Sequence, residues 1–132
     1  MPKAVARRRK GYEHGIEIRE HRLIADEPPE DGGTDTGPKP TELLAAALAS
    51  CTAITIEMYA ARKEWELGQV EVSVDEEKAA DGRTPRFVVE ITVPEPLTQE
   101  QRERIEVIAS KCPVHRALAS GSVEVADTLA SG

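Results

Sequence analysis

From Leu43 to Ile56 the chain carries no charged residue, and this run constrains the fold more than any other feature. Ala and Leu dominate it, and both are strong helix formers, so it predicts a helix that continues to Lys63. Its apolar side chains do not keep to one stripe. Leu44, Leu48, Cys51 and Thr55 share one face, and Ala45, Ala49, Ala53 and Ile56 share another. A helix that is apolar all round is normally buried all round. Charge returns at Glu57 and then at Arg62 and Lys63, where cations complement the negative end of the helix dipole. Over residues 41–63 such a helix spans roughly 34 Å at about 1.5 Å per residue. A compact domain of this length has a radius of gyration of roughly 14 Å. One chain whose only aromatics are Tyr12, Tyr59, Trp65 and Phe87 has little with which to cover so long a helix. A second copy is expected to supply the cover.

Around this helix the chain reads as short strands and further helices. Ala4-Val5-Ala6, Gly15-Ile16-Glu17-Ile18 and Leu23-Ile24-Ala25 are β-like runs within residues 1–26. Residues 27–40 form a loop rich in Pro (Pro28, Pro29, Pro38, Pro40) and Gly (Gly32, Gly33, Gly37). Its glycines do not make a phosphate cradle, because the run ends Gly37-Pro38-Lys39-Pro40 and not Gly-Lys-Ser/Thr. Downstream, Val70, Val72 and Val74 alternate with polar residues, and residues 87–93 form a second strand after an Asp81-Gly82 turn. Thr98-x-x-Gln101 is a capping box, and Ile105, Ile108 and Cys112 continue one helical face. Pro113 ends that helix and suits the first turn of the next, which Gly121 stops. Val123-Glu124-Val125 reads as a closing strand. Residues 1–132 are expected to form a single domain, as the length suggests.

Composition narrows the function. With 17 Lys plus Arg against 24 Asp plus Glu, the net charge is −7, so no field draws the chain to phosphates and nucleic acid is not an expected partner. The basic run Arg7-Arg8-Arg9-Lys10 reads as a solvated or strand-edge feature. No apolar stretch reaches the roughly 18–20 residues of a membrane span, and no apolar segment follows the basic N-terminus, so a cytoplasmic protein without membrane contact is expected. In a reducing compartment two cysteines are seldom a structural staple. A pairing of Cys51 with Cys112 would more naturally be transient, catalytic or sensing.

Each cysteine has an ordinary reading as well. Cys51 lies mid-helix with Ala47, Leu48, Ile54 and Thr55 around it, the setting of a small buried hydrophobe that burial makes inert unless a cation reaches it. Cys112 is flanked by Lys111, His115 and Arg116 and is placed to cap the following helix, whose positive end favours a charged sulfur. Cys112-x-x-His115 could be half a metal site, but only His14 and His21 remain to complete it, so no metal is assigned.

Read together, three blocks carry a resemblance. Gly33-Thr34-Asp35-Thr36-Gly37-Pro38-Lys39-Pro40-Thr41-Glu42-Leu43-Leu44, then Ala47-Leu48-Ala49-Ser50-Cys51-Thr52, then Lys111-Cys112-Pro113-Val114-His115 resemble the OsmC/Ohr family. His21 to Pro28 resembles the segment of its OsmC-like branch. The resemblance implies an α+β fold in which two chains intertwine, with antiparallel sheets packed around two central helices that bear the cysteines. The strands of residues 1–26 would be exchanged with the partner. It also implies a peroxidase that reduces organic hydroperoxides without a cofactor. Cys51 would be the attacking thiolate and Cys112 the resolving thiol. A dithiol, such as that of a lipoylated protein, would reduce their disulfide. Leu48 and His115 would contact substrate. The family's Glu, ten residues before the first cysteine, is replaced here by Thr41, which leaves Glu42 as the nearest carboxylate. Arg19 and Arg22 are the candidates for the activating Arg. Loss of that Glu leaves room for a second reading, a dimeric redox sensor or small-molecule-binding module without turnover.

Overall fold

The computed structural model describes residues 3–130. The chain divides into two compact units, one through Ala46 and one from Ala47 onward.

In the first unit, β1 (Ala4–Lys10), β2 (Glu13–Ile18) and β3 (His21–Ala25) form a three-stranded antiparallel sheet in that order. Arg7 lies opposite Gly15, and Glu17 opposite Arg22. The basic run therefore sits on an edge strand, where its side chains stay in water and discourage further pairing. Arg9 reaches back to the buried Glu13 at 3.1 Å. The Pro/Gly loop winds around Asp26, whose carboxylate accepts bonds from the backbone N–H of Glu27, Thr34 and Thr36 and from the hydroxyls of Thr34 and Thr36. Such a wrap requires Gly33, since a Cβ there would run into the Glu27 carbonyl oxygen.

The long helix, α1 (Pro40–Lys63), forms as its Ala and Leu content demands. It buries one stripe only: Leu48, Thr52, Ile56 and Ala60, spaced every four residues. Leu44, Ile54 and Met58 stay exposed, at 41%, 51% and 63%. By length and composition α1 is apolar enough to cross a membrane. This corrects the expectation that no segment reaches that range, because Glu57 alone interrupts the apolar and small residues from Leu43 to Ala61. The core helix of a globular protein meets the same criteria, and the α1 stripe packs in a protein core.

The rest of the second unit follows the local signals. β4 (Glu71–Lys78) and β5 (Pro85–Thr92) pair antiparallel, with Val74 opposite Val89. α2 (Gln99–Ala109) opens on the reciprocal Thr98–Gln101 capping box, and α3 (Pro113–Ser120) ends at Gly121 in the left-handed conformation. Ile56, Ala60, Leu67, Ile105 and Ala109 form the core, with Trp65, Val70, Ile91, Val93 and Leu97 packed against it. Each large apolar side chain so buried contributes about 1.5–3 kcal/mol relative to exposure. The expected strand at 123–125 is absent: residues 121–130 form neither strand nor helix, and Val123 and Val125 are 57% and 79% exposed. Their alternation finds neither a strand to pair with nor a face to cover.

Candidate functional site

Both cysteines belong to the second unit and both are free thiols. Cys112 sits between two helices because α2 stops at Ala109 and Pro113 starts α3 at its first position. It is fully buried, and its sulfur takes the helix-cap role by accepting the backbone N–H of His115 at 3.3 Å. The hydroxyl of Thr52, also buried, lies 3.8 Å from the same sulfur. Cys51 is half-buried on α1. Its acidity is set by burial and, to a smaller degree, by the backbone N–H of Val114, the thiol of Cys112 and the hydroxyl of Thr55. Two thiols remote in sequence therefore act on one another.

The electrostatics differ from those of a primed nucleophile. Burial pushes the Cys51 thiol up, and the neighbouring Cys112 adds to the rise. The Val114 N–H and Thr55 hydroxyl oppose this without reversing it. None of these groups is a cation. Near neutrality the sulfur keeps its proton, so a base or a cation is needed before it can attack.

The other predicted residues have their own surroundings. Arg19 lies in the turn between β2 and β3 with a left-handed backbone (φ 54°). Arg22 extends from β3 to Glu17 at 3.3 Å, with 81% of its side chain exposed, so the pair holds it only weakly. Glu42 accepts the Lys39 N–H at 2.9 Å and so caps the start of α1. All three belong to the first unit. Leu48 and His115, in contrast, line one cavity of about 200 Å³ together with Phe87, Val89 and Leu118. A larger groove of about 640 Å³ between β5 and α2 holds Arg102 and Glu106, and neither sulfur lines it or the smaller space. Among the described residues no three His, Cys, Asp or Glu side chains cluster as metal ligands.

Reading the sequence missed Thr52 and the Val114 N–H, and it set Thr55 beside Cys51 without giving its hydroxyl a role. A β-branched residue inside an Ala-rich helix was the available signal for Thr52, since such residues fit helices less readily and need a local reason. Nothing in the sequence marks a backbone N–H.

Comparison with known proteins gives a consistent picture. The family model described as OsmC-like protein matches residues 33–126. No curated protein matches the chain. Among solved structures, an osmotic stress induced and detoxification response protein from Psychrobacter arcticus 273-4 superposes with a TM-score of 0.79 at 24% identity, covering 89% of this chain and 88% of that one. An organic hydroperoxide resistance protein from Legionella pneumophila gives 0.64 at 22% identity, covering 89% of each chain. The organic hydroperoxide resistance protein OhrB of Bacillus subtilis gives 0.59 at 24% identity, covering 90% of each.

Proposed function

Since the chain belongs to the OsmC-like protein family, we propose that it is a thiol-dependent peroxidase that reduces organic hydroperoxides in defence against oxidative stress. The observation that carries this reading is a pair of free thiols within one unit, with Cys112 contributing to the raised Cys51 thiol. Cys51, on the exposed side of the pair, attacks the terminal peroxide oxygen and becomes a sulfenic acid. Cys112 then displaces water from it to close a disulfide, which protects the sulfur from further oxidation. An external dithiol, such as that of a lipoylated protein, restores both thiols. The solved relatives named for organic hydroperoxide resistance support the substrate class.

In this reading the chain works in the cytoplasm as one domain and as a homodimer. Strands 1–26 exchange with the partner, and the exposed Leu44, Ile54 and Met58 of α1 are covered by the second copy. Arg19 or Arg22, supported by Glu42, supplies the cation that Cys51 lacks. The test is peroxide consumption with dihydrolipoamide as reductant. Turnover above about 1 per second, the low end of typical enzymes, is expected of the native chain. Cys51→Ser abolishes it, while Cys112→Ser gives one turnover followed by over-oxidation. Full steady-state activity in Cys51→Ser would reverse the assignment.

One observation favours a second reading. The raised Cys51 thiol suits a redox sensor that reacts slowly and without turnover. Stoichiometric loss of thiols in the same assay, with no sustained consumption, selects it.

A further inference from the structure

Of the stripe that α1 buries, Leu48, Ile56 and Ala60 are apolar and Thr52 is not. Thr52 is nonetheless 1% exposed, as deep as Ile56. Burying a hydroxyl is unfavourable unless it is hydrogen-bonded, and a Val of the same outline would bury none. Every buried side-chain oxygen or nitrogen among the described residues has a partner, and for Thr52 that partner is the Cys112 sulfur, 3.8 Å away. A hydroxyl inside a helix commonly bonds a carbonyl of the preceding turn, as Ser50 does with Ala47. The Thr52 hydroxyl turns to the sulfur instead. A second donor fixes the same sulfur: the His115 backbone N–H, at 3.3 Å. Cys112 is fully buried, so it reacts with a group that the fold brings beside it and not with an oxidant in solvent. As a thiol, Cys112 can give its S–H to the Thr52 oxygen. Without that proton, its sulfur can accept from both the His115 N–H and the Thr52 O–H. A rotation of the hydroxyl hydrogen serves both states.

We propose, on the peroxidase reading above, that Thr52 is a positioning residue for the resolving step. Its hydroxyl holds the Cys112 sulfur and offsets the charge on it while that sulfur attacks the Cys51 sulfenic acid. The S–S bond forms as the S–O bond of Cys51 breaks, and the departing hydroxide leaves as water with the Cys112 proton. The Cys112 sulfur is oxidised in this step and the Cys51 sulfur is reduced. Hydrogen bonds to charged groups are the stronger ones, so the hydroxyl acts most when Cys112 gives up its proton. Closure of the disulfide competes with oxidation of Cys51 by a second hydroperoxide. Thr52 therefore sets how much hydroperoxide the chain withstands before Cys51 passes to sulfinic acid.

The test separates the two steps in a single turnover with tert-butyl hydroperoxide. Dimedone trapping follows the Cys51 sulfenic acid, and non-reducing peptide mass spectrometry follows the Cys51–Cys112 disulfide and Cys51 sulfinic acid. Thr52→Val removes the hydroxyl and keeps the outline, Thr52→Ala removes it without crowding, and Thr52→Ser retains it. Val and Ala should slow closure at least about 10-fold, the low end for a hydrogen bond to a charged group, and sulfinic acid should appear at lower hydroperoxide. The loss should fall on closure and not on the first oxidation, and Ser should restore it. Closure at the native rate in Val and Ala, an equal loss in the first oxidation, or no restoration by Ser overturns the role of Thr52. A native chain that forms no Cys51 sulfenic acid overturns the peroxidase reading and, with it, the inference.

Discussion

At Asp26 two effects oppose each other. Burial raises the carboxyl, but the N–H groups of Thr36 and Glu27 and the hydroxyls of Thr36 and Thr34 outweigh it, holding the group well below the usual carboxylate range. A carboxyl lowered on folding stabilises the fold above its unfolded value of 3.8, and that stabilisation is lost as pH falls through the folded value. Asp81, lowered to about 2 by the Thr84 hydroxyl and the N–H groups of Thr84 and Arg83, has the same sign. Thermal unfolding followed from pH 7 to pH 2 should show a decline that begins near pH 4. Asp26→Asn, which keeps Asp81, should be less stable at pH 7, and its deficit should narrow as acid neutralises Asp26 in the native chain. A deficit constant across pH would mean that the Asp26 charge is irrelevant to folding. The loop and its glycines were legible in the sequence. The carboxylate at their centre was not, because no sequence pattern distinguishes a wrapped aspartate from a solvated one.

Elements whose signals are local were legible almost residue by residue. The Thr98–Gln101 box, Pro113 and Gly121 each act within a turn of their own backbone, and each sits where it was expected. Elements defined by a distant neighbour were not. Val123–Val125 alternates as a strand does, yet a strand exists only when another pairs with it. Likewise α1 from Leu43 to Ala61 is apolar or small at every position but Glu57, so the buried stripe through Leu48 and Ala60 could not be told from the Leu44, Ile54 and Met58 side that stays open. If a second copy covers that side, Ile54→Glu places an unpaired charge in the interface at a cost of several kcal/mol. Sedimentation of the native chain should show a dimer, and Ile54→Glu should weaken it at least about 100-fold, equivalent to roughly 3 kcal/mol. A native monomer, or a dimer indifferent to the charge, would place the interface elsewhere or remove it.

For the molecule as a whole, the family was legible from three short blocks, and the family model matches across residues 33–126. The meeting of Cys51 with Cys112 was implied by that resemblance, and folding places both cysteines in one unit, with the Thr52 hydroxyl 3.8 Å from the Cys112 sulfur. What the residues alone suggested, that Cys112 is the sulfur whose charged form is favoured, rested on its flanking cations and on a helix end. It could not foresee that Cys112 is fully buried while Cys51 stays half open. Burial depends on packing between remote segments, which local sequence does not encode. The account turns on these two thiols forming one redox couple. Its most direct test is non-reducing peptide mass spectrometry after one equivalent of tert-butyl hydroperoxide. The prediction is a single intrachain Cys51–Cys112 disulfide. Both thiols left unlinked, with Cys51 carried on to sulfinic or sulfonic acid or not oxidised at all, would contradict it.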